Sequence, residues 1–344
     1  HMGKTILLAM PKIAKLDQLI AAGLQYHGFK VINIVYDDLD FQYPSLKANL
    51  YVKYRKLIHK DTTAKKKIKW QALQNKIAAK IAVSGGLDYA LFISGDIYSR
   101  EFIKFIRSQT REIIVNYQCD GLSRFPDVHA LIAEFDRFFV FDPNDAAQAD
   151  HILTASNFYF DHIESTTQQP EYDFYFTGVH DPSRARSINI FARYAAENKY
   201  TVDLNILWKY ASQRGRQHYP EANIKLIQNG LDFAENLQRA AKARVLIDFV
   251  SSDHSGLSFR TFEALGNNQK LITTNAAVKG YDFYHPDNIL VWNGRDLSGL
   301  ADFLARPYQP VDGAIKHKYG FANWLNYVLD IVPYQSITLP CYIS

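Results

Sequence analysis

The sequence has little cysteine and no long apolar run. Cys119 and Cys341 are the only cysteines among 344 residues, so a disulfide framework and a Cys-rich zinc module are excluded, as is usual for a reducing compartment. The apolar runs, such as 6–10 and 245–250, are far shorter than the roughly 20 residues that a membrane-spanning helix needs. The start His1-Met2-Gly3 resembles a tag remnant rather than a secretion signal. We therefore expect a cytoplasmic protein.

The composition is that of a folded protein with large cores. Hydrophobic residues make up 47%, aromatic residues 14% and charged residues 22%, which excludes a disordered chain. At 344 residues the chain is long enough for two domains of ordinary size. Internal repeats and low-complexity tracts are absent, which disfavours solenoids and propellers.

Positive charge is concentrated in one segment of a chain whose net charge is only +4. Residues 47–69 contain nine lysines and arginines and a single acid, Asp61. Apolar residues recur there at near-helical spacing, which predicts a basic helix or helix pair inserted at 45–82. Such a helix can bind an anionic membrane surface; a solvated helix face with lysine stems over apolar surface is the alternative. The candidate membrane or acceptor contacts are Lys53, Arg55, Lys65, Lys66 and Lys67.

Short apolar runs alternate with helical patterns along most of the chain. Strands at 4–10 and 29–36 flank a helix at 13–27, and the alternation then continues. It stops in the polar stretch 162–172, which is typical of a linker, and resumes with a strand at 173–179. Nearly continuous apolar strands of this kind are typical of parallel sheets with helices on both faces.

We therefore predict an α/β protein with two Rossmann-like domains. The N-terminal domain is expected at 1–165, the C-terminal domain at 166–311, and a helical tail at 312–344 that packs back on the N-terminal domain. Ligands of open α/β sheets bind at the carboxyl ends of the strands, so the two sheets are expected to face each other across a cleft that holds the active site.

The stretch 245–275 carries the strongest indication of a ligand site. A strand is followed by a polar loop and a helix, whose first backbone N–H groups could bind a phosphate. Ser258 could cap this helix, Arg260 could bind a phosphate through two hydrogen bonds, and Glu263 could accept hydrogen bonds from ribose hydroxyls. An ordinary capped helix with a solvated Arg and Glu is the alternative. The candidate residues are Ser252, His254, Ser255, Gly256, Leu257, Ser258, Arg260, Thr261 and Glu263.

Four segments, in order, resemble one enzyme family. The sequence SGLSFRTFEALGNNQKLITTN at 255–275, followed by KGYDFYHPDNI, is similar to the donor-binding half of bacterial GT-B glycosyltransferases, especially a CgeB-like group encoded with capsule and lipopolysaccharide genes. YDFYFTGVHDPSRARSINIF at 172–191 resembles the segment that opens their second domain. VNYQCDGLSRFPDV at 115–128 and FDRFFVFDPNDA at 135–146 resemble first-domain segments. The resemblance leaves the basic segment unmatched.

The resemblance implies a nucleotide sugar bound mainly to the C-terminal domain, an acceptor on the N-terminal domain, and transfer without an obligatory metal. A second set of phosphate-binding groups is then expected around the start of the helix at 183–198. Its members are Gly178, His180, Ser183, Arg184 and Arg186. His180 could bind a phosphate or take part in catalysis at the sugar; a turn histidine on the surface is the alternative.

Direct displacement also needs a base that takes the proton of the acceptor hydroxyl. Asp120 follows a predicted strand and coincides with an aspartate of the resembling segment, so it is the first candidate, with turn capping as its alternative role. Asp96 is the second candidate, and Arg124 could hold an anionic group. Many retaining GT-B enzymes carry two glutamates eight positions apart, whereas Ser255 stands where the first would be if Glu263 is the second. Inversion is therefore slightly favoured.

Motifs for other functions are weak or missing. Asp38 and Asp40 have the D-x-D spacing of a metal-binding loop, but they follow a predicted strand and are interpreted as loop residues. The sequence contains no P-loop, dinucleotide glycine motif, nucleophile elbow or H-E-x-x-H zinc motif, so neither a metal nor a cofactor is expected. It also lacks the signatures of nucleic-acid readers, and no nucleic-acid partner is expected.

The sequence thus predicts a glycosyltransferase that moves a sugar from a nucleotide donor to a bacterial surface polysaccharide or lipopolysaccharide. The basic segment would bring it to the inner face of the plasma membrane. Two alternatives stay open: a sugar-nucleotide epimerase of the same architecture, which needs no acceptor, and a non-catalytic membrane-associated scaffold in glycan assembly.

Overall fold

The protein, in a computed structural model, consists of two compact units. The structure describes residues 2–35, 64–119, 121–122, 126–163, 169–209, 212–250 and 255–340. The first unit comprises His1–Ala155 and Trp324–Ser344, and the second comprises Ser156–Asn323. Each contains one six-stranded sheet whose strands are all parallel, which confirms the prediction of two Rossmann-like α/β domains.

The first unit is a doubly wound sheet with buried central strands. Its elements are β1 (Thr5–Met10), α1 (Leu16–Tyr26), β2 (Lys30–Val35), α2 (Ala64–Val83), β3 (Leu87–Ile93), α3 (Arg100–Gln109), β4 (Thr110–Gln118), β5 (Arg137–Val140) and β6 (Ile152–Thr154). The strand order is β2-β1-β3-β4-β5-β6. Every residue of β1 and β3 is buried, as expected for apolar strands covered on both faces. Between β4 and β5 the chain forms a 3₁₀ helix, Pro126–Glu134.

Part of the predicted basic insertion is the ordinary crossover helix from β2 to β3. Helix α2 buries Ile77 and Ile81 in the core of the first unit, and Leu73 packs against that core. A parallel sheet needs such a connection, so the residues from 64 onward belong to the Rossmann-like unit rather than to an insertion. The remaining part of the predicted insertion lies outside the described residues.

The second unit has the strand order of a dinucleotide-binding fold. Its elements are β7 (Tyr172–Val179), α4 (Pro182–Glu197), β8 (Val202–Leu207), α5 (Ser212–His218), β9 (Ile224–Ile227), α6 (Phe233–Ala241), β10 (Ala243–Asp248), α7 (Phe259–Asn267), β11 (Lys270–Thr273), β12 (Ile289–Val291), α8 (Leu300–Ala305) and α9 (Gly313–Lys318). The strands lie in the order β12-β11-β10-β7-β8-β9. The chain therefore runs outward from β7 in one direction and from β10 in the other. The topological switch point, where ligands of such sheets bind, therefore lies at the carboxyl ends of the neighbouring strands β7 and β10.

The C-terminal tail is shared between the two units. Helix α9 lies in the second unit, whereas the chain from Trp324 onward, including most of α10 (Phe321–Val328), lies in the first. The Trp324 ring meets Tyr117 of β4 edge-on, with ring centroids 5.3 Å apart. Arg137 and Asp330 form an ion pair at 3.1 Å. The predicted return of a C-terminal helix to the N-terminal domain is thereby confirmed.

The division between the units falls ten residues before the predicted boundary at 165. It lies between Ala155 and Ser156, because the residues that follow are bonded to the second unit. The Nδ2 of Asn157 donates to the Leu257 carbonyl at 2.9 Å, and Tyr159 forms a β-bridge with Gly320. The polar composition of 162–172 therefore marked the approach to β7 rather than the start of the unit.

No helix among the described residues is both long and apolar enough to cross a bilayer.

Candidate functional site

One face of the second sheet carries a row of polar side chains, most of which are buried. In register, Thr177 of β7 pairs with Asn205 of β8, and Asp248 of β10 pairs with Thr273 of β11. The Nδ2 of Asn205 lies 3.3 Å from Thr177 Oγ1, and Thr273 Oγ1 donates to Asp248 Oδ2 at 3.3 Å. The opposite face is apolar and forms the core of this unit. Because these polar residues lie at or near the carboxyl ends of their strands, they bring polar groups to the edge where ligands bind.

Arg184, in the first turn of α4, bridges the switch point itself. Its Nη2 donates to the carbonyl of Val179, the last residue of β7, at 2.6 Å. Its Nη1 donates to the carbonyl of Phe249, which follows β10, at 2.9 Å. The Nε is buried and has no hydrogen-bond acceptor among the described residues. A guanidinium is thus fixed between the two central strands with one donor group still to be satisfied.

Arg260 is a second cation at this edge, on the first turn of α7. Its Nε lies 3.2 Å from Oε2 of Glu263, and its guanidinium carbon lies 5.3 Å from the centre of the Tyr175 ring. The ion pair lacks hydrogen-bond geometry, since Nε and Nη1 of Arg260 and Oε2 of Glu263 are buried without a hydrogen-bond partner in the described structure. Buried donors of this kind are costly unless a ligand satisfies them.

Two carboxyl groups share this environment. Burial raises the pKa of Asp248, and the Arg260 and Arg184 guanidiniums and the Ser258 and Thr273 hydroxyls oppose that rise. Burial also raises the pKa of Glu263; Arg260 opposes the rise and the Asp248 carboxylate adds to it. The ionised form of Asp248 therefore depends on both arginines, and that of Glu263 depends on Arg260.

A cavity of about 340 Å³ opens beside Arg184 at the carboxyl ends of four strands. Its described lining residues are Ser183, Arg184, Ser187, Phe249, Val250, Thr274, Asn275, Ala276, Asn293 and Gly294. Arg184 is the one charged residue in that lining, and the start of α4 adds the positive end of a helix dipole. The cavity therefore suits an anionic group.

Gly178 is required because Arg184 packs against its Cα. A Cβ at this position would lie 2.6 Å from Nη2 of Arg184 and 2.6 Å from Cζ of Phe176. We expect Gly178→Ala to displace the guanidinium and to lower the free energy of unfolding by about 1–3 kcal/mol through overpacking. Chemical denaturation measures the loss. Gly299→Ala is the matched control, since nothing lies within 4 Å of a Cβ there; equal stability of the two variants would contradict the prediction.

Two of the other residues predicted around α4, His180 and Arg186, do not line the cavity beside Arg184. The Nδ1 of His180 lies 2.7 Å from the Tyr219 hydroxyl, and its ring meets Trp208, which follows β8, at 4.5 Å. Asp181 caps α4 by accepting from the backbone N–H of Ser183 at 3.0 Å. Arg186 is exposed on α4. The structure thus brings Gly178, Ser183 and Arg184 together but holds His180 in an aromatic cluster on the β8 side.

The predicted loop before α7 is described from Ser255 onward. Asn275, which lines the cavity, donates from Nδ2 to the Gly256 carbonyl at 3.3 Å, so the loop end lies next to the cavity. Leu257 is buried, and Ser258 occupies the N-cap position without a side-chain capping bond. Thr261 is also buried. Ser252 and His254 lie outside the described residues.

Glu263 borders a different cavity. A groove of about 860 Å³ runs between α6, α7 and the segment 159–163, and Glu263 lies in its wall. This groove follows the helices rather than the strand ends, and its described lining mixes both signs of charge. A ribose that reached Glu263, as the sequence predicts, would have to extend beyond the 340 Å³ cavity.

In the first unit, the described candidate is Asp96, which follows β3. It is buried, and its Oδ1 accepts from Nε2 of Gln118 at 2.8 Å. The Asn116 side chain accepts from the backbone N–H of Gly95 at 2.8 Å. These groups form a polar network at the carboxyl ends of β3 and β4, which is the edge where the sequence analysis expects the acceptor substrate.

Several predicted residues cannot be placed. Asp120, Arg124, Lys53, Arg55, Asp38 and Asp40 lie outside the described residues. Lys65, Lys66 and Lys67 lie in the first turn of α2. Within the described ranges, no group of three His, Cys, Asp or Glu side chains is arranged to hold a metal.

The sequence analysis missed Asp248, Asn275 and Asn293. Asp248 could have been found from the sequence, because it ends an apolar strand, VLID at 245–248. A carboxylate in that position is buried and therefore needs a partner. The two asparagines follow β11 and β12 and are brought to the cavity by the strand order, which the sequence does not display.

Solved structures with the same two-domain fold include glycosyltransferases. A glycosyltransferase from Rickettsia africae aligns with a TM-score of 0.55 at 12% identity, covering 95% of this chain and 97% of that one. An alpha-glucosyltransferase in complex with UDP and a 13-mer DNA aligns with a TM-score of 0.55 at 10% identity, covering 87% of this chain and 89% of that one. A putative UDP-N-acetylglucosamine 2-epimerase from Listeria monocytogenes aligns with a TM-score of 0.52 at 12% identity, covering 98% of this chain and 100% of that one.

No family model and no curated protein matches the sequence. At these identities the structural matches establish the GT-B type of fold, two Rossmann-like domains, and not the reaction.

Proposed function

We propose that this protein is a glycosyltransferase that uses a nucleotide-sugar donor. The observation that carries the proposal is the pair of arginines, Arg184 and Arg260, whose buried N–H groups lack acceptors at the carboxyl edge of the second sheet. Phosphate oxygens are the acceptors that guanidiniums and helix starts bind best. A nucleoside diphosphate carries enough phosphate oxygens to pair with both cations.

The two units divide the reaction between them in this proposal. The arginines stabilise the negative charge that develops on the leaving diphosphate. Glu263 binds the ribose, and Arg186 and His180 lie on the same unit for further contacts. A carboxylate of the first unit, Asp120 or Asp96, removes the acceptor proton as the acceptor oxygen attacks the anomeric carbon. We propose direct, inverting transfer without a metal.

The acceptor is proposed to be a bacterial surface polysaccharide or lipopolysaccharide. Support for this comes from the resemblance of the four sequence segments to transferases encoded with capsule and lipopolysaccharide genes. The basic segment at 47–69 would hold the protein at the cytoplasmic face of the membrane, because clustered lysines and arginines bind anionic lipid headgroups. Removal of most of that charge should abolish cosedimentation with anionic vesicles.

The donor class is tested by thermal unfolding with UDP, GDP, CMP, ADP and dTDP and their sugars. We expect one nucleotide to raise the melting temperature, since a ligand at about 100 times its Kd stabilises the folded state by about 2.7 kcal/mol. The bound sugar nucleotide is then incubated with and without an acceptor glycan, and products are separated by mass spectrometry. Failure of every nucleotide to shift the melting temperature would contradict the proposal.

An epimerase is the second candidate, because a putative UDP-N-acetylglucosamine 2-epimerase has the same fold, with a TM-score of 0.52. An epimerase converts the sugar nucleotide without an acceptor, whereas a transferase leaves the stereochemistry of the intact donor unchanged. A new sugar-nucleotide isomer in the reaction without acceptor would favour the epimerase.

A further inference from the structure

The second unit has another cavity, at the edge of its sheet opposite the proposed donor site. It has a volume of about 460 Å³, which is an ordinary size for a ligand pocket. Its lining includes Ala243, where β10 begins, and Lys270, where β11 begins. A strand of six residues such as β10 spans about 17–20 Å. A small ligand in this cavity therefore does not reach the carboxyl ends of the strands.

Every charged residue in the described lining of this cavity is a cation. The three cations are Arg244, Lys270 and Arg306, and the described lining contains no aspartate or glutamate. The cavity beside Arg184, in comparison, has a single cation in its described lining. The amino edge of the second sheet thus carries the larger concentration of positive charge around a cavity.

The three cations meet at the end of α8. Nζ of Lys270 donates to the carbonyls of Phe303 and Arg306, both at 2.5 Å, and Nη2 of Arg244 donates to the Leu304 carbonyl at 2.6 Å. The Lys270 nitrogen lies 4.3 Å from the centre of the Phe303 ring, and the Arg306 guanidinium carbon lies 6.0 Å from it. In the described structure these contacts leave further N–H groups of Lys270 and Arg244 available to a ligand.

Helix capping explains only part of this arrangement. Cations that bond to the last carbonyls of a helix stabilise it, but a carbonyl is a neutral group and leaves the formal charge of the cation in place. Among the described residues, Asp287 pairs with one of the three cations, through Oδ1 at 2.7 Å from Nε of Arg306. Burial lowers the pKa of Lys270, and the charges of Arg306 and Arg244 lower it further. An anion between these like charges would offset their repulsion.

The lining also contains apolar surface. Pro170, Leu304, Pro307 and Tyr308 border the same cavity. Apolar and aromatic side chains of this kind contact the uncharged part of a ligand, while a few polar groups fix its orientation. The cavity therefore suits a molecule that joins an anionic group to a small ring.

We propose that this cavity is a second anion site, which binds a small soluble phosphate ester through Arg244, Lys270 and Arg306. A phosphate monoester carries nearly two negative charges at neutral pH, and its oxygens accept the charge-assisted hydrogen bonds that guanidinium and ammonium groups donate. Three cations match that charge better than they match a single carboxylate. This inference goes beyond the proposed function and does not rest on it, because it uses none of the donor-site residues.

The test is calorimetric titration of the full chain with pyrophosphate and with glucose 1-phosphate, at one fixed ionic strength so that screening is the same in every run. We expect Arg244→Gln and Arg306→Gln each to weaken binding by about tenfold or more, since each removes a charged hydrogen-bond donor. Glutamine keeps an N–H group for the Leu304 carbonyl in the first variant. Circular dichroism checks that both variants are folded.

Asp287→Asn is expected to change the affinity in the opposite direction. It removes the carboxylate that pairs with Arg306 and leaves all three cations in place. Binding of both probes should become tighter, by as much as about fivefold for a partly exposed ion pair. A role of the cations in helix capping alone predicts no such gain, and unchanged or weaker binding would remove Arg306 from the site.

Arg193→Gln is the matched control for the loss of one positive charge. Arg193 is an exposed residue of α4 that pairs with Glu197, and its variant should bind both probes as the wild-type protein does. Arg260→Ala should also retain binding at the amino edge of the sheet.

Three results would overturn the inference. They are absence of binding to the wild-type protein, equal affinity in the wild-type protein and the Arg244 and Arg306 variants, and binding that only Arg260→Ala abolishes, which would assign the probes to the donor site. The proposed function is tested separately, by the nucleotides.

Discussion

Arg260→Ala is expected to weaken nucleoside diphosphate binding by about 10- to 100-fold. Arg260 has two buried nitrogens, Nε and Nη1, without hydrogen-bond partners among the described residues, and a hydrogen bond to a charged group contributes about 1.5–3 kcal/mol. Loss of one such bond corresponds to about one to two decades in Kd. Calorimetric titration with the nucleotide selected by thermal unfolding measures the change.

The matched control is Arg193→Ala, which removes an exposed arginine that pairs with Glu197 on α4. Its Kd should equal that of the wild-type protein. Affinity for the corresponding nucleoside, which has no phosphate, should be nearly the same in both variants. Unchanged diphosphate affinity in Arg260→Ala would remove this residue from the donor site, and equal losses for nucleoside and diphosphate would show a general structural effect instead.

All strands of the two sheets except β6 could be predicted from the sequence, because their apolar runs are continuous. TILLAM at 5–10 and ARVLID at 243–248 leave few alternatives to buried parallel strands. Elements of three to seven residues were missed, namely β6, α5 and α8. At that length a hydrophobic period cannot be recognised, and pairing with a neighbouring strand or packing against the unit decides the structure instead.

The sequence predicted which edge of the second sheet carries the candidate site, but not how the charged groups of that site pair with each other. The polar loop before α7 and the glycine near the end of β7, Gly178, pointed to the carboxyl edge of the second sheet. Arg260 and Glu263 are three positions apart and lie on one helix face, but the sequence analysis assigned them to a phosphate and a ribose rather than to an ion pair with each other. Arg184 is held by two backbone carbonyls. Asp248 meets Thr273 only through the register of β10 and β11, and neither relation can be read from side-chain types.

The largest effect on stability is expected from Trp324→Ala in the C-terminal tail. Trp324 is completely buried and meets Tyr117 edge-on, so truncation removes apolar contact and an aromatic pair and leaves a cavity. Substitutions of this kind cost about 3–5 kcal/mol of unfolding free energy. Denaturant titration followed by circular dichroism should show the transition of the first unit at lower denaturant concentration.

Tyr26→Ala is the control for Trp324→Ala, because Tyr26 is an aromatic residue of the same unit with 69% of its surface exposed. Its effect should stay within about 0.5 kcal/mol. The comparison tests whether the tail is a structural part of the N-terminal Rossmann-like unit, since a tail that merely rests on the surface would make the two variants equally stable. Nucleotide affinity should be unchanged in Trp324→Ala wherever it remains folded, because the arginines that bind the diphosphate in our proposal belong to the second unit.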